Sequence, residues 1–423
     1  MTYERQAEVL AIGAGPANLS LAALGAPLAR PEISVVESRD SVSWHPGLLL
    51  DGSRLQVSGV KDLVSLVDPR SRYSFLNFLS EQGRLYRHLI SSGGTVSRKE
   101  FDQYFRWAAA ELGVHLNQHV KSVEHDGTGF LVHSSQSRWR VKDLVLGVGQ
   151  RPYLPPCARE VRGGRVTHAA RFHQEVASLA GQEVLLVGGG QSAGEVALEV
   201  LSGRAGRPRG LTWITGGDGL TPLDESPFST EWAHPHYVEH FRELPVDRRR
   251  ALLRRQRPAQ TGISGHLLGE IYRRLYELDY LDEQPIRHGL HPHCELVRLT
   301  TTGTGRYRAA VRDRTADTWH EFEADHVILA TGFRPEVPDF LSPLLERLPI
   351  TDGVYHVDED YSLSWDGPAG NRIYVQNAAQ GSHGIADPNL SLAAWRSAVI
   401  LNSLTGREAC RLPRADITLA LDW

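Results

Sequence analysis

Two short stretches constrain this chain more than anything else in it. The first, Glu8-Val9-Leu10-Ala11-Ile12-Gly13-Ala14-Gly15-Pro16-Ala17-Asn18-Leu19, runs an apolar strand into a glycine turn and out into a helix. Gly13 permits the tight turn. Gly15 lets backbone amides approach a pyrophosphate with no Cβ in the way, and the helix opening at Pro16 points its free N–H groups at that anion. Asn18 stands where a third glycine or alanine is usual. A second strand, Ile33-Ser34-Val35-Val36, ends in Glu37-Ser38, about 20 residues on, where an acid accepts hydrogen bonds from an adenosine ribose. The second stretch is Val184-Leu185-Leu186-Val187-Gly188-Gly189-Gly190-Gln191-Ser192-Ala193-Gly194, with Gly188, Gly190 and Ala193 in the three pattern positions. Two such cradles in one chain imply a flavin site and a nicotinamide site with hydride passing between them.

The rest of the composition narrows the field. A length of 423 residues suggests two or three domains with chain to spare for a large core. The net charge of -4 gives no reason to expect nucleic acid or an anionic membrane as partner. No apolar run reaches the roughly 18 residues of a membrane span, and the N-terminus has no signal-peptide layout, so a cytoplasmic protein is expected. Cys157, Cys294 and Cys410 are far apart, with neither a CxxC pair nor zinc spacing, and no metal is expected. That argues against the disulfide reductases, which share two nucleotide sites but need a cysteine pair beside the flavin. A flavin-binding redox protein without turnover is a further reading, though nothing in the sequence demands it.

The expected fold is α/β: two Rossmann-like dinucleotide-binding domains, the second inserted in the first, plus a small, mostly helical substrate region. Residues 1–155 form the N-terminal part of the first domain and 326–423 its C-terminal part. Residues 156–220 and 296–325 form the second, and 221–295 the helical region. Apolar spacing predicts helices over 74–79, 100–112, 251–255 and 266–278, with Ser97-Arg98-Lys99-Glu100 as a capping box. Alternating runs such as 129–133 suggest a β-meander, and Glu323 to Phe333 reads as one buried strand closing on Ala330-Thr331-Gly332. Between Trp44-His45-Pro46-Gly47 and Gln56 to Leu63 lies a long irregular connection, the kind of loop that carries function.

With those motifs and His383-Gly384-Ile385-Ala386-Asp387-Pro388 in view, the chain resembles the flavin-dependent N-hydroxylating monooxygenases of siderophore biosynthesis, most closely the lysine N6-hydroxylase branch. The resemblance implies FAD, NADPH and O2. Reduced FAD would form a C4a-hydroperoxide whose distal oxygen is attacked by the substrate's neutral amine. It implies Gln56, Lys61 and His45 in catalytic roles, with Trp44, His45 and Gln56 on the isoalloxazine side. It implies FAD contacts from Gly13, Gly15, Pro16, Asn18, Leu19, Glu37, Ser38, Thr331, Gly332, Asp387, Pro388, Asn389 and Leu390, and nicotinamide-cofactor contacts from Gly188, Gly190, Gln191 and Ser192. Lys61 would pair with a substrate carboxylate, with Gln56, Thr230, Gly262 and Ser391 also lining the substrate. Keeping Lys61 favours L-lysine over cadaverine or putrescine, and Thr230 and Gly262 favour it over L-ornithine. Relatives place an arginine just after the strand ending at Ile214 to meet the NADPH 2′-phosphate. Here Thr215-Gly216-Gly217-Asp218-Gly219 carries no cation. Either another arginine reaches in, or NADH also serves. A dimer or tetramer is implied by the same resemblance.

Overall fold

The computed structural model describes residues 3–92, 94–161, 164–412 and 417–421. The first sheet has the order Ile33–Val36, Tyr3–Ile12, Ser137–Leu146, Phe130–Ser134, Val120–His125, with Ile373–Val375 alongside the C-terminal end of Ser137–Leu146. Its nucleotide-binding half is parallel and its far half is the expected antiparallel meander. Val9, Leu10, Ala11 and Ile12 are buried on both faces, as a central parallel strand must be. The helix Pro16–Gly25 packs against the C-terminal helix Ala393–Thr405, so the two ends of the chain close one domain.

The second sheet is wholly parallel, ordered Arg287–His291, Gly210–Ile214, Glu183–Val187, His326–Leu329, Val166–His168. Two expected boundaries shift. Arg287–His291, assigned to the helical region, is this sheet's edge strand. His326–Leu329, assigned to the C-terminal part of the first domain, is one of its inner strands. The run from Glu323 is not one strand. Thr318–Ala324 is the exposed edge of a separate antiparallel sheet with Cys294–Thr301 and Tyr307–Asp313, and only then does the chain enter the core. The break is Asp325, whose carboxylate accepts from the Glu183 amide at 2.8 Å and from Arg306 Nε at 2.9 Å.

The second unit is inserted in the first, as expected, and the two crossings Arg151–Pro152 and Phe333–Arg334 pair antiparallel. The capping box does not form. Ser97 precedes the helix Arg98–Glu111 but its hydroxyl makes no cap bond. Glu100 turns instead to His88 Nδ1 at 2.7 Å and to Arg84 at 3.7 Å, on and beside the helix Leu85–Ser92, which the apolar spacing does not reveal. Among the described residues no helix is long and apolar enough to cross a membrane.

Candidate active site between two nucleotide cradles

In the first cradle Gly13 has φ +95°, and a Cβ on it would stand 2.6 Å from the Gly147 carbonyl oxygen. Gly15, the residue before the helix, has nothing nearer than 4.0 Å. The first glycine therefore serves the chain and the second leaves room for a ligand. Glu37 accepts from the Ala14 amide at 3.0 Å, from Ser38 Oγ at 3.1 Å, and from the Arg39 amide and Nε at 3.1 and 3.0 Å. Burial raises its pKa, but the Arg39 charge and these hydrogen bonds outweigh that and leave it lowered. An ionised acceptor thus stands at the strand end, where a ribose is read.

Asn18 departs from expectation. Its amide donates to the carbonyls of Ile12 and Gly13 at 3.0 and 2.8 Å, and its oxygen accepts from Gln376 Nε2 at 2.8 Å. A Cβ at Gly147 would lie 2.4 Å from that amide. The small residue that close helix–strand packing requires has moved to the neighbouring strand end, and Asn18 fills the space. Gln376 in turn accepts from Arg396 Nε at 3.1 Å, and Arg396 bonds Asp387 through its carbonyl and, at 3.2 Å, its Oδ1. Asp387 Oδ2 accepts from the Ala379 amide at 2.9 Å. The side chains of Asn18 and Asp387, expected at the cofactor, are the two ends of a buried chain of bonds. Leu19 is likewise core, Leu390 packs on that core, and the Asn389 side chain caps the Ser391 amide at 2.9 Å. Pro388 is half-buried beside them.

The second cradle repeats the division of labour. Gly188 has φ +140°, and its Cβ would meet the Ala330 carbonyl oxygen at 2.2 Å, whereas Gly190 has nothing within 4 Å. The Gln191 side chain is held at both ends of its amide. Its Nε2 donates to Glu195 at 3.0 Å and its oxygen accepts from the Ser264 amide at 2.9 Å. The Ser192 hydroxyl has no hydrogen-bond partner among the described residues. Thr331 donates to the Tyr153 carbonyl, and Gly332, at φ +84°, accepts from the Tyr153 amide at 2.9 Å. Both sit where the chain crosses back between the cradles.

The Trp44–Gly47 motif builds the seam. The Trp44 amide donates to Asp102 at 2.6 Å, and the indole sits edge-on to Phe105 at 5.6 Å. His45 adopts the left-handed region at φ +51° and places its ring 6.1 Å from Phe333 of the crossover. Gly47 lies so close to the second unit that a Cβ would be 2.0 Å from the Ala170 carbonyl oxygen. Leu48 and Leu50 pack into the second unit's core. Across the same seam Arg98 forms a two-pronged pair with Glu195, both contacts 2.7 Å and both side chains buried. His45 is more than a third exposed, and the surrounding protein with the charges of Arg98 and Arg39 lowers its pKa, so its ring is neutral near pH 7. No local sequence signal marks this pair, whose partners are 97 residues apart.

A cavity of about 720 Å³ opens here, walled by Gln56 and Ser58 from the first unit and by Gln191, Glu195, Glu225 and Ser264 from the far side. It joins the Gln56 loop to the mouth of the second nucleotide helix. Lys61, Thr230, Gly262 and Ser391 are not among its lining residues. Lys61 is half-buried, which lowers its pKa, and its ammonium has no partner among the described residues. Thr230 is exposed and donates to the Ser226 carbonyl at 2.9 Å. A Cβ on Gly262 would stand 2.6 Å from the Leu223 amide, so the backbone there leaves no room for a side chain. The buried Ser391 Oγ and Asn377 Oδ1 have no hydrogen-bond partner among the described residues. Open second glycines, helix N-termini, an ionised ribose acceptor and orphaned polar atoms fit a dinucleotide in the first cradle, and the open Gly190 fits one in the second.

Residues 5–335 match the family model described as L-lysine 6-monooxygenase/L-ornithine 5-monooxygenase. The chain is 35% identical over 409 residues, 96% of each chain, to the L-lysine N6-monooxygenase of Escherichia coli. It is similar in structure to the FAD-bound cadaverine monooxygenase of Erwinia amylovora, with a TM-score of 0.89 and 29% identity over 98% of this chain and 97% of that one. It is also similar to the ornithine N-hydroxylase of Kutzneria sp. 744, solved with reduced FAD, NADP+ and L-ornithine, at 0.87 and 27% over 95% and 99%. The expectation of FAD and NADPH agrees with those structures.

Proposed function

Since the chain belongs to the L-lysine 6-monooxygenase/L-ornithine 5-monooxygenase family, we propose that it hydroxylates the side-chain primary amine of L-lysine, using FAD, NADPH and O2, to supply a siderophore or related hydroxamate. The observation that carries the choice of lysine is Lys61. Its unpaired, half-buried ammonium on the Gln56 loop suits a substrate carboxylate in a charge-assisted pair. Bound FAD supplies the oxygen activation. The chain's part is to orient the amine and keep water out. A free alkylamine has a pKa of roughly 10.4 and must arrive neutral, which desolvation favours. Neutral His45 adds no positive charge beside it, and Gln56 offers a donor and an acceptor without a charge.

A diamine is the second reading. It is favoured by Glu225, which lines the cavity, whose carboxylate has no partner among the described residues, and which suits the second ammonium of cadaverine or putrescine. The test is hydroxylamine product from lysine, ornithine, cadaverine and putrescine, scored separately from NADPH oxidation. Lys61→Ala is expected to raise KM for lysine by about 10-fold or more with little change for cadaverine. Wild-type turnover of diamines alone, or lysine turnover indifferent to Lys61→Ala, overturns the lysine assignment.

A further inference from the structure

The loop that follows the second strand of a dinucleotide fold receives the adenosine ribose, and a cation there accommodates a 2′-phosphate. In the second cradle this loop is Thr215–Gly219, and it contributes a carboxylate instead. Asp218 is 96% exposed, 3.4 Å from His293 Nδ1. The cation comes from 98 residues further on. Arg314, in the turn between Tyr307–Asp313 and Thr318–Ala324, lays its guanidinium over the loop and donates from Nη2 to the Gly216 carbonyl at 2.9 Å.

Three features make this a built arrangement. Gly216 admits the guanidinium, since a Cβ there would lie 2.6 Å from Nη2. The turn is tied to the loop by backbone: the Arg314 amide donates to the His293 carbonyl at 3.0 Å, and the His293 amide donates to the Gly217 carbonyl at 2.8 Å. The guanidinium also keeps capacity for a ligand. Among the described residues its only other polar partner beyond Gly216 is Glu295, 4.0 Å from Nε, and Nη1 has none. Nearby Arg312 is committed to Asp317 at 2.7 Å. Gly219 leaves the floor of the loop open.

We propose that Arg314 is the 2′-phosphate-binding residue of the second cradle and gives the protein its preference for NADPH over NADH, from an antiparallel hairpin outside the nucleotide fold. The inference rests on reading that cradle as the nicotinamide site. Calorimetric titration of the FAD-loaded protein with 2′,5′-ADP and with 5′-ADP tests it without turnover. Wild type is expected to bind 2′,5′-ADP about 10- to 100-fold more tightly, the range of one or two charge-assisted hydrogen bonds. Arg314→Ala should bring the two nucleotides to near parity with 5′-ADP affinity unchanged, Arg314→Lys should keep part of the preference, and Arg312→Ala all of it. A wild-type preference retained in Arg314→Ala overturns the assignment, as does a wild type that binds both equally. If neither nucleotide binds wild type, the nicotinamide reading of the cradle falls and the assignment with it.

Discussion

The two cradles share a backbone plan and differ in what surrounds it. In the first, the polar groups behind the glycine turn are buried and wired through Asn18, Gln376, Arg396 and Asp387 to the C-terminal segment. In the second, the carboxylate and the cation beside the strand-end loop are exposed, Asp218 by 96% and Arg314 by 52%, and the cation is lent by another sheet. A buried, fully partnered network resists opening, whereas an exposed rim can be remade each time a ligand leaves. The contrast matches a resident prosthetic group on one side and an exchanging co-substrate on the other.

The sharpest way to break that contrast is to cut the first network. Arg396 and Asp387 are 1% and 0% exposed, so Arg396→Met strands a buried carboxylate and should cost about 3–5 kcal/mol in denaturant unfolding, with loss of bound FAD. Arg314→Ala, on the exposed rim, should stay within about 0.5 kcal/mol. Equal costs would show that the buried chain of bonds anchors nothing. The glycines give the next largest effect. Gly13→Ala and Gly188→Ala each drive a Cβ into a backbone carbonyl at positive φ, and each should cost about 1–3 kcal/mol. Gly15→Ala and Gly190→Ala meet open space, so both should fold as wild type. The first should then lose FAD on gel filtration, and the second should weaken NADP+ binding while keeping FAD. A Gly190→Ala protein that bound NADP+ normally would leave the second cradle without its ligand.

Both cradles are legible in the sequence because strand, glycine turn and helix are local and the residue types carry their own reasons. The inserted topology follows from their spacing. What escapes is what depends on distance. Arg98 and Glu195 are 97 residues apart, and Asn18 and Gln376 are 358 apart, so no window of sequence shows that one completes the other. The strand His326–Leu329 reads in the sequence as the middle of one run from Glu323 to Phe333, and the bonds of Asp325 show where the hairpin ends and the core strand begins. At Gly262 the structure adds a constraint that resemblance does not carry, the backbone of Leu223 lying against it. The missing cation of Thr215–Gly219 is plain in the sequence, and its replacement by Arg314 is not.

The smallest effect separates the units by titration. Each holds a buried histidine kept neutral by its surroundings. In the first unit His383 stacks on Tyr361 at 4.1 Å, and burial lowers its pKa to about 3. In the second, burial and Arg165 lower that of His326 to about 4. A histidine whose folded pKa lies below the unfolded 6.5 takes up its proton first in the unfolded chain, so stability falls as pH drops below 6.5 and stops falling at the folded pKa. At pH 5.5 each histidine should therefore remove about 1.4 kcal/mol relative to pH 8, and His383→Asn and His326→Asn should each flatten the pH dependence of the urea midpoint by about that amount. Below pH 4 the two part company: the His326 contribution levels off while that of His383 continues to about pH 3. A wild-type midpoint that does not fall between pH 6.5 and 5.5, or variants that fall as steeply as wild type, would show that neither histidine is held neutral by its unit.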